Sequence, residues 1–455
     1  MIKTLEKYFQ KNTEAAPLAV FRIFFGFMMF GSLIRFWSKG WIKELYIEPK
    51  FFFSFYGFEW VKPLGNYTYI IFIVCGIASL MIAIGYKYRL AIIAFFLSFT
   101  YIELMDKTTY LNHYYFISLV SFILIFLPAN AYFSVDAKQD KSLAFQKIPN
   151  WSIDSIKLML AIVYFYAGLA KLNSDWLFRA SPLNIWLPVQ YDLPLVGSFM
   201  TKKWFHFAMS WAGTLYDLAI PFLLLYKRTR LLAFAMVVVF HVFTRILFPI
   251  GMFPYIMIVS TLIFFDNKLH HKILQTIANV FKISKSYFDN SKTLFYSTKQ
   301  KITVNILAVF FIIQLLFPFR YLLYPGELFW TEEGYRFSWR VMLIEKAGFT
   351  EFKVVDAKTK QQFYIDNGDF LTKLQEKQMS FQPDFILEYA HFLGDTFKEL
   401  GMKEPQVFVD SYVTLNGRLS SQFINPTIDL YQQKESFKHK NWIIPFNHEI
   451  KIKGL

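Results

Sequence analysis

Tyr67-Thr-Tyr-Ile-Ile-Phe-Ile-Val-Cys-Gly-Ile-Ala-Ser-Leu-Met-Ile-Ala-Ile-Gly-Tyr86 runs for twenty residues without a formal charge. An α-helix needs about twenty apolar residues to cross the ~30 Å hydrocarbon core of a bilayer. Three more uncharged windows follow, Tyr114–Val135, Ile246–Phe265 and Ile302–Phe319. The composition agrees: of 455 residues, 55% are hydrophobic, 20% aromatic and only 18% charged. A soluble domain has about 45–50% apolar and about 25% charged residues, so there is too little polar surface here to cover one soluble globule. Disorder requires few apolar residues and is excluded as well. The sequence specifies an integral membrane protein with a soluble part.

Five further apolar runs contain or adjoin polar groups. Leu18–Trp37 holds Arg22 and Arg35, and Leu90–Ile102 runs into Glu103 and Asp106. Leu158–Ala170 ends on Lys171, Trp204–Tyr226 holds His206 and Asp217, and Leu231–Thr244 holds His241. The expected fold is a polytopic α-helical membrane protein with about nine transmembrane helices. An odd number places the two ends on opposite sides. Loops on the N-terminal side then hold 18 Lys and Arg, from Lys3, Lys7 and Lys11 to seven lysines between Lys268 and Lys301, against 8 in the short loops opposite. Positive loops remain cytoplasmic, so the N-terminus is expected inside and the chain beyond about Tyr321 outside. The net charge of +15 reads as attraction to anionic lipid, not as nucleic-acid binding. No cleavable signal peptide is expected. The single cysteine, Cys75, excludes an internal disulfide, a CxxC pair and a thiolate metal cluster.

Past residue 320 the pattern changes. Glu351–Val355 and Gln361–Ile365 flank the turn-like Asp356–Lys360 and predict a hairpin. Pro383–Leu400 has helical periodicity with Gly401 after it, and Gln406–Leu415 reads as a strand ending in the turn signal Asn416–Gly417. The expected organisation is a helical membrane domain over 1–320 and a small extracytoplasmic α+β domain over 321–455.

Ionisable groups at membrane depth are functional candidates. Arg22 and Arg35 lie near the ends of their run, where snorkelling or a structural role is expected. His206 is expected at the interface, and Asp217 to pair with an arginine or to cap a helix. Lys171 follows the small residues Ala167, Gly168 and Ala170, which allow close helix packing. It is either a snorkelling end-of-span lysine or a desolvated, neutral amine able to act as a general base. Glu103–His113 is either a plain polar loop or a segment folded into the bilayer to line a cavity. After His241, Pro249, Gly251 and Pro254 break helix regularity, as at many binding sites. The Phe and Met residues there suit a flat apolar ligand such as a quinone, or simply pack.

Four stretches carry a family resemblance: Leu18-Ala-Val-Phe-Arg-Ile-Phe-Phe-Gly26; Asp106-Lys-Thr-Thr-Tyr-Leu-Asn112-His113-Tyr, with Ala129-Asn-Ala-Tyr-Phe-Ser-Val-Asp136 downstream; Tyr164-Phe-Tyr-Ala-Gly-Leu-Ala-Lys171-Leu-Asn-Ser-Asp175-Trp176; and Phe240-His241 through Ile250-Gly-Met-Phe253 to Met257. Phe337-Ser-Trp339, Glu404-Pro-Gln406 and Asn425-Pro-Thr-Ile-Asp429 extend it. The chain resembles the vitamin K-dependent γ-glutamyl carboxylases and their bacterial relatives, the HTTM proteins. The resemblance implies an enzyme that couples oxidation of vitamin K hydroquinone or menaquinol by O2, giving the epoxide, to abstraction of a glutamyl γ-proton and addition of CO2. It implies Lys171 as the initiating base, Asn112 and His113 bonding and orienting the quinone, Phe253, Met257 and His241 at an apolar quinone pocket, and Tyr335 near the glutamate site. No metal is implied.

The chain departs from the animal enzymes in carrying Tyr321 and Ile344 where they have histidine and Arg340 where they have an acid. It ends at Leu455, short of their propeptide-binding region. Quinone chemistry is therefore expected more firmly than recognition of a protein or peptide glutamyl substrate. The alternatives are quinol epoxidation without carboxylation and a non-catalytic transport or lipid-binding module. The expected location is a bacterial inner membrane, and the oligomeric state is not legible.

Overall fold

A computed structural model describes residues 7–284, 287 and 292–446. Lys3, Lys285 and the chain end at Leu455 lie outside the described residues. The longer helices of the first part are α1 (Ala16–Ser38), α2 (Thr68–Ile84), α3 (Tyr88–Leu104), α4 (Asn112–Phe126), α5 (Trp151–Ala170), α6 (Lys203–Leu225), α7 (Arg230–Leu247), α8 (Phe253–Ser260), α9 (Asn267–Val280) and α10 (Thr298–Leu316). Six helical stretches are long and apolar enough to cross a membrane: Ala16–Ser38, Gly65–Ile84, Trp151–Ala170, Lys203–Leu225, Arg230–Leu247 and Gln300–Leu323. The other three expected spans fall on the shorter helices Tyr88–Leu104, Asn112–Phe126 and Phe253–Phe264. The shortening has local causes. Pro249 and Gly251, the latter at φ +63°, end one helix before the next can begin, and the polar segment 105–111 holds a 3-10 turn between α3 and α4. Ile70, Ile73 and Ile77 stay exposed along one face of α2, as a lipid-facing stripe requires.

Arg22 does not snorkel. It is fully buried and donates to the carbonyls of Ile82 and Ala83 at 2.9 Å and to that of Phe133 at 2.6 Å, tying α1 to the end of α2. The Ile82 and Ala83 carbonyls are among the orphan acceptors of a helix C-terminus. Close packing recurs at glycines. A Cβ on Gly26 would stand 2.5 Å from Ser79 O, and one on Gly168 would stand 2.7 Å from Leu218 Cγ, so α1 meets α2 and α5 meets α6 nearly backbone to backbone.

The connections fall into two groups. In one, strands β1 (Asn12–Glu14) and β2 (Lys147–Pro149) pair antiparallel. Leu294 N donates to Lys147 O, Asp136 N to Gly85 O, and Arg230 pairs with Asp266. In the other group, segments 39–66, 105–111 and 171–202 contact the C-terminal part. That part contains β3 (Lys346–Asp356), β4 (Gln362–Tyr364), α11 (Lys373–Met379), α12 (Pro383–Glu399), β5 (Pro405–Leu415) and β6 (Ser421–Gln422).

Strand order in the antiparallel sheet is β4-β3-β5-β6. The β3–β4 hairpin, α12 and β5 form where expected. Asn416 and Gly417 adopt positive φ, although β6 pairs only at Tyr412–Gln422 and Val413–Ser421, leaving a wide connection. Helix α12 covers the sheet, with Tyr389 set edge-on to Phe352 at 4.9 Å. The domain docks through aromatic contacts, Phe53–Phe385 at 4.4 Å and Phe51–Phe392 at 4.6 Å. Buried polar ties accompany them. Lys107 reaches Asp384 and Glu388, each at 2.9 Å, Arg418 reaches Asp175 at 2.6 Å, and Trp186 donates to Glu345 at 2.6 Å.

Candidate active site

Helices α5, α6, α7 and α8 enclose an apolar cavity of about 110 Å³. Lys171, His241, Phe253 and Met257 line it together, with Tyr164, Trp176 and Asp217. Lys171 is buried. Its Nζ donates to Asp217 Oδ2 at 2.6 Å and Ala167 O at 3.2 Å, and lies 5.5 Å from the Trp176 ring centre. The amine therefore neither snorkels nor sits in wholly apolar surroundings. Asp217 also departs from expectation, since its partner is Lys171 and not an arginine or a helix end.

His241 accepts or donates a 3.0 Å hydrogen bond with the Tyr164 hydroxyl through Nε2, while its buried Nδ1 has no partner among the described residues. The Phe253 ring lies 5.7 Å from that of His241 and 5.8 Å from that of His113. It thus forms part of a partition. Beyond it lies a second chamber of about 390 Å³, lined by Asn112, His113, Tyr335 and Arg35 and sharing Ile250, Phe253, Val341 and Met342 with the first. The expected residues thus divide between two adjoining chambers. Together these have the size of a small-molecule site, typically about 300–1,000 Å³.

Asn112 is largely engaged by the protein. It donates to Arg340 O at 3.1 Å and accepts from the Tyr110 hydroxyl at 3.1 Å. Tyr110 in turn accepts from Phe337 N at 2.8 Å. These bonds fix the start of α4 against the 337–342 segment of the C-terminal part. His206, expected at the interface, is buried, and its Nε2 donates to Met200 O at 2.6 Å.

A third cavity, about 530 Å³, shares Trp41, Tyr110, Leu111, Tyr114 and Tyr335 with the second and reaches Lys107 and Arg336 at the domain interface. Electrostatics there are set by burial and pairing. Burial raises the Asp106 carboxyl to about 6, despite bonds from Thr108 and Gln375. Burial alone would raise Asp384 too, but Arg336 and Lys107 outweigh it and hold this carboxyl below the usual range. Burial, reinforced by Glu332, pushes the Tyr335 phenol above its ordinary value. Among the described residues no group of three or more His, Cys, Asp or Glu is placed to hold a metal.

Sequence reasoning missed Val341 and Met342, which close both chambers from the C-terminal part. Met342 has φ +53°, a conformation that no neighbouring sequence signal announces. It also missed that Arg35 faces a chamber.

A bundle of helices, six of them long and apolar enough to cross a membrane, with a C-terminal α+β part and a buried lysine–carboxylate pair, defines a helical membrane protein with an internal polar site. Residues 10–268, more than half of the chain, match the HTTM domain, and residues 299–449 match the vitamin K-dependent gamma-carboxylase lumenal domain. The chain belongs to the vitamin K-dependent gamma-carboxylase family. No solved structure was found to match it.

Proposed function

We propose that this protein is a membrane-embedded, quinol-dependent γ-glutamyl carboxylase. It uses vitamin K hydroquinone or menaquinol, with O2 and CO2 as co-substrates, on a peptide or protein glutamyl group. The observation that carries this reading is the Lys171 amine, 2.6 Å from Asp217, in the apolar cavity that also holds His241, Phe253 and Met257. A reduced quinone fits these residues. Phe253 and Met257 offer apolar contact, and the Lys171 amine and the Nδ1 of His241, which has no partner among the described residues, offer polar contacts for oxygens.

The bound quinol, with O2, supplies the drive for removing a weakly acidic C–H proton. The chain's own groups prepare that step. Lys171 Nζ accepts a phenolic proton, and Asp217 stabilises the ammonium that results, as a buried carboxylate does for a catalytic base. Tyr164 fixes the His241 ring through their 3.0 Å bond. His113 lines the second chamber, and Asn112 is a positioning residue for it. Tyr335 stands between the second chamber and the interface cavity, on the side where a glutamyl group would arrive.

The same reading takes all nine helical segments as spans, with the N-terminus cytoplasmic in a bacterial plasma membrane and a domain boundary near residues 320 and 321. The segregation of connections into two groups supports it. Segments that would lie inside join one another, and those that would lie outside join the C-terminal domain.

Purified protein should convert menaquinol or vitamin K hydroquinone to epoxide under O2 and fix labelled bicarbonate into a small glutamyl peptide. Epoxide without fixed label would reduce the reading to a quinol epoxidase, and neither product would overturn it.

A further inference from the structure

The second chamber holds one formal charge. Among its described lining residues there is no aspartate or glutamate, and Arg35 is its sole Lys or Arg. The Arg35 guanidinium lies 5.0 Å from the Trp41 ring centre, and its Nη1 lies 3.9 Å from where a Cβ on Gly251 would stand. Among the described residues no hydrogen bond or ion pair engages that guanidinium. Other arginines in the molecule are used differently: Arg22 donates to three carbonyls, Arg336 binds Asp384, and Arg418 binds Asp175.

A guanidinium is always charged and presents a rigid fork of donors that matches a carboxylate in bidentate fashion. Placed in a wall without countercharge near the end of a membrane helix, it favours an anionic occupant over its neutral isostere. The chamber lies between the Lys171 cavity and the cavity that reaches the domain interface, sharing lining residues with each. An acid entering at the interface therefore meets Arg35 before it meets the partition at Phe253.

We propose that Arg35 is the anion anchor of this chamber and binds the side-chain carboxylate of the acidic substrate. It would thereby set the preference for acid over amide. The assignment rests on the proposed function for its reaction but not for its binding. A carboxylate side chain and bicarbonate present the same oxygen pair, so the test separates them.

Binding of N-acetyl-glutamate methylamide, N-acetyl-glutamine methylamide and bicarbonate to the full chain in detergent would be measured by calorimetry. Menaquinone binding would be followed separately by quenching of tryptophan fluorescence. Wild type should bind the glutamate probe at least tenfold tighter than the glutamine probe. In Arg35→Gln that ratio should fall to near one with menaquinone quenching intact, which also reports a folded protein. Arg35→Lys should keep a reduced ratio, since a point charge replaces the fork, and it carries the test should Arg35→Gln not fold. The proposal is overturned by a wild-type ratio near one, by an undiminished ratio in either variant, or by Arg35-dependent binding of bicarbonate without the glutamate probe. Absence of menaquinone quenching in wild type would overturn the quinone reading alone and leave the Arg35 result to be judged on its own.

Discussion

Lys171 Nζ donates to Asp217 Oδ2 at 2.6 Å inside an apolar cavity, and each makes the burial of the other tolerable. Removing one partner of a buried pair costs about 3–5 kcal/mol, whereas replacing both with apolar groups of similar volume is often neutral or stabilising. Asp217→Asn should therefore lower the melting temperature in detergent, and Lys171→Met/Asp217→Leu should recover most of that loss while remaining inactive. A double variant no more stable than Asp217→Asn would mean that the pair is not the source. Lys171 was legible because it closes an apolar run after small residues. Its partner was not, because Asp217 lies 46 residues away and only the packing of α5 on α6 brings them together. The chamber that Arg35 faces was not legible for a related reason: it is built from three distant segments.

Helix packing at Gly168 sets the geometry of that pair. A Cβ there would stand 2.7–2.8 Å from Leu218 side-chain atoms and backbone N, directly beside Asp217. Gly168→Ala should thus lower thermal stability and slow quinol turnover by tenfold or more, in proportion to how far α6 is pushed from Lys171. Wild-type turnover in this variant would separate the packing from the chemistry. A second element, the loop 105–111, carries a pH signature. Asp106 has its proton held more tightly in the fold, at about 6 against an ordinary 3.8. Its contribution to stability is fully present below about 3.8 and is lost as pH rises through 6. Asp384 has the opposite sign, with a contribution present above the ordinary carboxyl value and lost only in stronger acid. The melting-temperature difference between wild type and Asp106→Asn should therefore move in favour of the variant between pH 4 and pH 7, and a constant difference would contradict the assignment. The hairpin, α12 and β5 were legible from alternation, Pro383 and Gly401. The docking of α12 onto Lys107 was not, since nothing near Lys107 in sequence names Asp384 as its partner.

At the scale of the whole molecule, two groups of connections and the bias of Lys and Arg point to one orientation. A reporter fused after Leu455 should be active only outside the cytoplasm, and a cytoplasmic signal would sink both the orientation and the odd number of spans. Composition alone made the membrane class legible, whereas the division of the site into two chambers depends on the closing segment 337–342, which the sequence does not place. The central claim is that Lys171 removes a phenolic proton, and epoxide formation by Lys171→Ala tests it most directly. The account predicts that epoxide is lost at neutral pH in a folded, quinone-binding variant, by about 10²–10⁴-fold as for other general bases. Added small amines or higher pH should restore it, and Lys171→Arg should not, because guanidinium stays protonated. Near-normal epoxide formation by Lys171→Ala at neutral pH would contradict the account and move the search for the base to His113 or His241.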